Sequence, residues 1–164
     1  MDRSGLDEVP SFPDDNRLVE WWARFNKISF LDVSKLTSLS MLRLINLQGN
    51  MINSTSGLAT LSSVEILELP VNQFTSLSKE TFASFPELRN LSLSSNQVSE
   101  ISKDAFDRTP KIQQLILRRN YLNSDILLGV LKLKDLVKLD LSGNLITFIE
   151  RVSCYLKLLA FINA

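Results

Sequence analysis

Apolar residues recur along the chain with a spacing that fits neither a long helix nor an ordinary half-buried strand. In the stretch FPELRNLSLSSNQV, Phe85, Leu88, Leu91 and Leu93 are three, three and two residues apart, and Asn96 follows three residues later. The last leucine pair has the period of a β-strand. The pattern therefore predicts a very short strand that is entered through a loop and ends at an asparagine.

This pattern repeats with a nearly constant period. Six asparagines mark it, at intervals of 24, 22, 24, 24 and 24 residues: Asn26, Asn50, Asn72, Asn96, Asn120 and Asn144. The leucines upstream align as well, at Leu47, Leu69, Leu93, Leu117 and Leu141. A fixed period with aligned apolar positions is the mark of a solenoid. Because an amide both donates and accepts hydrogen bonds, we expect the six asparagines to form a ladder that pairs backbone groups left facing the core.

The composition argues against several functions. Eighteen basic and eighteen acidic residues give no net charge, and a nucleic-acid-binding chain would usually carry a basic face. Histidine is absent, the single cysteine is Cys154, and no phosphate-binding, metalloprotease or nucleophile-elbow motif occurs. No run of 18 apolar residues is present. The sequence predicts a protein that is not an enzyme, needs no cofactor or metal, and does not bind nucleic acid or span a membrane.

The repeat identifies the chain as a member of the leucine-rich repeat family. Its 24-residue copies with Phe82 and Phe106 resemble the typical extracellular subclass found in Toll-type receptors, Slit-like proteins and small proteoglycans. The segment LDEVPSFPDD (6–15) also looks like the amino-terminal cap of such arrays. The resemblance implies an α/β solenoid, a right-handed superhelix with a short-stranded parallel sheet on its concave face, and a protein ligand or co-receptor bound there.

One domain over residues 1–164 is expected, in three parts. Residues 1–17 form a cap-like segment, 18–149 hold about six repeats, and 150–164 are an incomplete repeat or a carboxyl-terminal cap. In the return after Asn120, NSDILLGVLKL has apolar residues at helical spacing, which predicts a short helix there.

Candidate binding residues follow from the alternation of side chains on a strand. Aromatic and arginine side chains are the usual anchors of protein interfaces, and outward apolar residues indicate a covered surface. The candidates are Trp22, Arg24, Phe25, Leu44, Ile66, Glu68, Gln114, Ile116, Arg118, Arg119 and Tyr121. For two pairs a reading other than binding stays open: Trp22 and Phe25 serve only to seal the first coil, and Arg118 and Arg119 are solvated surface.

Two hypotheses for the location remain. The family resemblance favours an extracellular or cell-surface receptor or adhesion-type fragment, and Asn53 and Asn90 lie in glycosylation sequons. A single cysteine and an amino end without the apolar core of a signal peptide instead favour a cytoplasmic scaffold or regulatory subunit that docks an enzyme. In the first hypothesis the chain is a mature or truncated form.

Overall fold

The computed structural model describes residues 1–12, 17–56 and 59–146. The predicted end of the repeats at residue 149, the segment 150–164 and Cys154 lie outside the described residues.

Ten short strands lie in the described ranges. They are β1 (Glu20–Trp22), β2 (Phe30–Asp32), β3 (Leu44–Asn46), β4 (Ser54–Ser56), β5 (Ile66–Glu68), β6 (Ser76–Leu77), β7 (Asn90–Ser92), β8 (Glu100–Ile101), β9 (Gln114–Ile116) and β10 (Lys138–Asp140). Strands β1, β3, β5, β7, β9 and β10 form one parallel sheet in that order, one strand from each coil. The pairs β2–β4 and β6–β8 form two smaller parallel sheets on the returning side of the coils. The chain is thus a right-handed leucine-rich repeat solenoid, as its repeat predicts.

The central residue of every strand in the large sheet points into the core. Leu67 pairs in register with Ile45 on one side and Leu91 on the other, and all three are buried. The register is strict because a slip of one residue would turn these side chains to solvent. Equivalent residues of successive strands therefore lie side by side, and the leucine positions of the sequence form one continuous hydrophobic core.

Phenylalanines fill the core between the sheet and the returning segments. Phe74, Phe82 and Phe85 are fully buried, and the rings of Phe74 and Phe82 lie 6.2 Å apart. Phe106 is buried at the position that matches Phe82 in the next coil. Both re-enter the core, as expected from their place in the repeat.

The return after Asn120 differs from the others. A 3₁₀ turn spans Ser124–Ile126, and a helical turn, α1, spans Leu127–Val130. The backbone N–H of Asp125 donates to Oδ1 of Asn123 at 2.9 Å, which starts the turn. This agrees with the helical spacing of the sequence.

Residues 1–12 lie across the open end of the first coil. Val9 is buried in the core, and Leu6 and Phe12 pack against it. Phe12 contacts Trp21 edge-on, with ring centroids 5.5 Å apart. The segment removes from water an apolar end that a stack of coils would otherwise leave exposed.

Candidate functional site

The asparagine ladder sets the geometry of the strand ends. Nδ2 of Asn96 donates to the carbonyl oxygens of Leu69 and Leu93, each at 3.0 Å, while its Oδ1 accepts the N–H of Phe74 at 3.1 Å. One side chain thereby joins two coils. Asn50, Asn72, Asn120 and Asn144 make the equivalent bonds in their own coils.

At the first coil the amino-terminal segment supplies the missing partners. Oδ1 of Asn26 accepts the N–H groups of Ser4 and Leu6 at 2.9 and 3.0 Å, and its Nδ2 donates to the carbonyl of Met1 at 3.0 Å. The backbone of the segment therefore takes the place of a preceding coil.

The residue before each asparagine adopts a left-handed backbone conformation. Positive φ angles of 55–72° occur at Phe25, Gly49, Val71, Ser95, Arg119 and Gly143. A side chain at one such position packs against the equivalent position of the next coil. A Cβ placed on Gly49 would come within 2.6 Å of Cδ1 of Phe25, and one on Gly143 within 3.2 Å of Cγ of Arg119. Phe25 and Arg119 thus border the strand face rather than lie on it.

The outward residues of the large sheet form the strand face, which is the concave face of the solenoid. Its first column holds Glu20, Leu44, Ile66, Asn90, Gln114 and Lys138, and its second holds Trp22, Asn46, Glu68, Ser92, Ile116 and Asp140. Strand neighbours in a column are about 4.8 Å apart. The predicted site residues Leu44 and Ile66 are therefore adjacent. Ile116 lies in the other column, on β9 beyond β7, and is therefore separated from Leu44 and Ile66.

One end of the strand face is an ordered cluster of aromatic and charged groups. Trp22 is 37% exposed. Its Nε1 donates to Oε2 of Glu20 at 3.0 Å, and the Arg24 guanidinium lies 5.0 Å from its ring centroid. Asp2 holds Arg24 through bonds of 2.6 and 2.9 Å, and these bonds keep the pKa of Asp2 below its ordinary value. Trp22 is thus both supported by the first coil and available to a ligand.

The other end of the face is open and basic. Arg118, Arg119 and Gln114 are exposed, and Tyr121 is 57% exposed beside them. In an extended binding surface such residues would meet the partner at its rim, where they set orientation and on-rate.

The centre of the face is recessed and polar, which the alternation of the sequence did not reveal. Asn46 and Ser92 face outward in register, yet each is only 8% exposed. Glu68 lies between them and is half-buried. Burial raises the pKa of the Glu68 carboxyl above its ordinary value, and hydrogen bonding to Ser92 opposes this in part.

Other parts of the described chain contain a cleft, but no candidate metal site and no helix that could span a membrane. The cleft, of about 430 Å³, opens on the returning side, between β6, β8 and the turn at Asp125, and its lining mixes four serines with apolar and acidic residues. Among residues 1–12, 17–56 and 59–146, no group of three or more cysteine or acidic side chains could hold a metal ion. No helix in these ranges is long and apolar enough to cross a membrane.

Comparison with known proteins agrees with this architecture. Residues 62–122 match the model of the leucine-rich repeat family. No curated protein matches the chain. Among solved structures, a leucine-rich repeat protein of Leptospira interrogans aligns with 86% of this chain at 26% identity and a TM-score of 0.66. An internalin of Listeria monocytogenes aligns with 90% of it at 24% identity and a TM-score of 0.58.

The chain spans only part of these proteins, 36% of the Leptospira protein and 47% of the internalin. The likeness to the internalin is one of fold. The repeat period, the family match over residues 62–122 and the coil-by-coil architecture agree, and together they show that this chain has the fold of a leucine-rich repeat solenoid.

Proposed function

We propose that the chain is a non-enzymatic module that binds a protein through its strand face. The observation that carries this proposal is the arrangement of that face, with a recessed polar centre between Trp22 at one end and Arg118 and Tyr121 at the other. Leucine-rich repeat solenoids commonly serve as protein-interaction modules, which supports the same conclusion.

The physical reason is that the face is rigid and already formed. The ladder and the core hold all six strands in register, so little conformational entropy is lost when a partner docks. Aromatic and arginine side chains that are ordered before binding act as anchors at small entropic cost. Trp22 is such an anchor because Glu20 and Arg24 hold its ring.

Site-specific photo-crosslinking tests this proposal. A benzoyl-phenylalanine placed at Gln114 would report on the strand face, and one at Lys103 would report on the returning side; both positions are exposed. In extracts of the source cells we expect discrete crosslinked proteins from the Gln114 position, and few or none from Lys103. Adding Arg118→Ala should reduce the Gln114 products severalfold. Crosslinks concentrated at Lys103 would contradict the assignment.

We also infer that the module works outside the cell or on its surface, as part of a receptor or adhesion-type protein. The 24-residue repeat with Phe82 and Phe106 supports the inference, and so does the exposed position of the sequon asparagine Asn53. Asn53 is exposed directly before β4, away from the strand face. Asn90 is half-buried on β7, where a glycan would cover the strand face.

Secretion from eukaryotic cells with an added leader tests the location. We expect soluble protein that carries glycan at Asn53, with Asn90 unmodified, because a glycan at Asn90 would block the proposed site. Mass spectrometry of the two peptides measures this, and Asn53→Gln is the control for the assignment. Protein retained and aggregated in the secretory pathway, but soluble when made in the cytosol, would favour the intracellular scaffold instead.

A further inference from the structure

A single carboxylate occupies the recessed centre of the strand face. Glu68 pairs in register with Asn46 on β3 and with Ser92 on β7. Both neighbours are at least nine-tenths buried, although they are polar and face outward. The three side chains therefore form a polar floor that lies deeper than the rest of the face.

No cation compensates this carboxylate within the part of the chain that the structure describes. Nearby acids at the edge of the sheet are paired: Glu65 lies 3.0 Å from Arg43 and 3.9 Å from Arg89, and Glu87 lies 2.6 Å from Lys111. For Glu68 no ion pair occurs among these residues. The outward residues diagonal to it are all uncharged: Leu44, Gln48, Asn90 and Ser94.

An uncompensated carboxylate in this position is unfavourable for the free protein. Burial disfavours its charged form, as the raised pKa of Glu68 indicates, and an opposite charge would remove that penalty. Within the fold the Glu68 carboxyl is hydrogen-bonded to Ser92, and this bond offsets the effect of burial only in part. A cation brought by a partner is the compensation that the described part of the chain does not supply.

The floor offers a set of acceptors that suits a planar, multiply donating cation. The Glu68 carboxylate is hydrogen-bonded to Ser92 and has further acceptor sites, and the Ser92 hydroxyl, 3.5 Å from that of Ser94, keeps one more lone pair. Oδ1 of Asn46 accepts the N–H of Gln48 at 3.1 Å and retains a second lone pair. A guanidinium carries five donors spread over a rigid plane, whereas the three donors of an ammonium lie on a single nitrogen, so the guanidinium is the better match to acceptors on three adjacent strands.

We propose that Glu68, Asn46 and Ser92 form the site that receives an arginine side chain of the protein partner. This inference rests on the proposed function and adds the chemistry of the partner: an arginine-bearing segment that crosses the middle of the strand face. The positive charge of the arginine neutralises the Glu68 carboxylate, and Asn46 and Ser92 orient the guanidinium group by hydrogen bonding.

The probe is N-acetyl-arginine N-methylamide, compared with its uncharged citrulline analogue. NMR would follow the Glu68 carboxyl carbon and the backbone amides of Asn46 and Ser92 at pH 7. We expect saturable shifts with the arginine compound and at least tenfold weaker binding of the citrulline compound. Glu68→Gln should weaken arginine binding at least tenfold. Glu65→Gln, which removes a paired carboxylate outside the floor, should leave it within twofold of wild type.

A stability measurement separates this role from a structural one. Because the folded state raises the pKa of Glu68, the charged form opposes folding at neutral pH, and Glu68→Gln should unfold at an equal or higher denaturant midpoint. A clear drop in that midpoint would make Glu68 structural and overturn the proposal.

Three outcomes of the binding experiment would contradict the proposal. Equal binding of the two compounds, no binding of the arginine compound, or unchanged binding by Glu68→Gln would overturn the arginine site. If the Gln114 crosslinks were still observed in that case, protein binding through the strand face would remain supported. If they were absent, both that function and the arginine site would be contradicted.

Discussion

Replacing Asn96 by leucine is expected to lower the free energy of unfolding by about 3 kcal/mol, because the backbone groups it pairs are left buried without partners. The amide donates to two carbonyls in adjacent coils and accepts one N–H, and the side chain is only 6% exposed. Leucine is similar in size but offers neither donor nor acceptor. Urea denaturation measures the change in midpoint.

Gln97→Leu is the matched control, since that side chain is exposed and follows the same turn. It should change the free energy of unfolding by no more than about 0.5 kcal/mol. Equal midpoints for the two variants would mean that water replaces the ladder, and that the ladder does not hold the coils together.

Phe82→Ala is expected to cost about 3–5 kcal/mol through loss of buried area and the cavity that remains. Phe82 is almost wholly buried, and its ring lies 6.2 Å from that of Phe74 between the sheet and the returning segments. The surrounding coils cannot close the gap, since the ladder fixes their spacing. The loss should bring the variant near the limit of stability, given that a domain has only about 5–15 kcal/mol in total.

Thermal unfolding followed by circular dichroism measures this loss. Tyr121→Ala, at a side chain that is more than half exposed, provides the comparison and should lower the midpoint only slightly. A small effect of Phe82→Ala would contradict the view that phenylalanines couple the two sides of the solenoid.

Much of the fold could be predicted from the sequence because repetition amplifies a weak local signal. A single pair such as Leu91 and Leu93 does not distinguish a strand from other short apolar segments, but the same spacing in successive coils does. The inward position of Trp21 and the outward position of Trp22 follow from alternation alone.

Features that depend on neighbouring coils escaped this reasoning. The burial of the outward residues Asn46 and Ser92 arises from the strands on either side, and no pattern within one coil reports it. The same is true of Val71, a β-branched residue at φ 58°, which the turn imposes against its local preference. The support of Trp22 by Arg24 depends on Asp2, which is 22 residues from Arg24 in the chain and holds its guanidinium.

By itself, the sequence determined the coil: its length, its buried leucines, its asparagine at the bend and the sheet that stacking must produce. Only the tertiary structure decided how the outward side chains group, which of them are recessed, and that Glu68 lies at the centre with no ion pair to any described residue. The reason is that the repeat pattern is local and is present in every coil. The burial and ion pairing of an outward side chain instead depend on the residues of adjacent strands, which lie about 4.8 Å away.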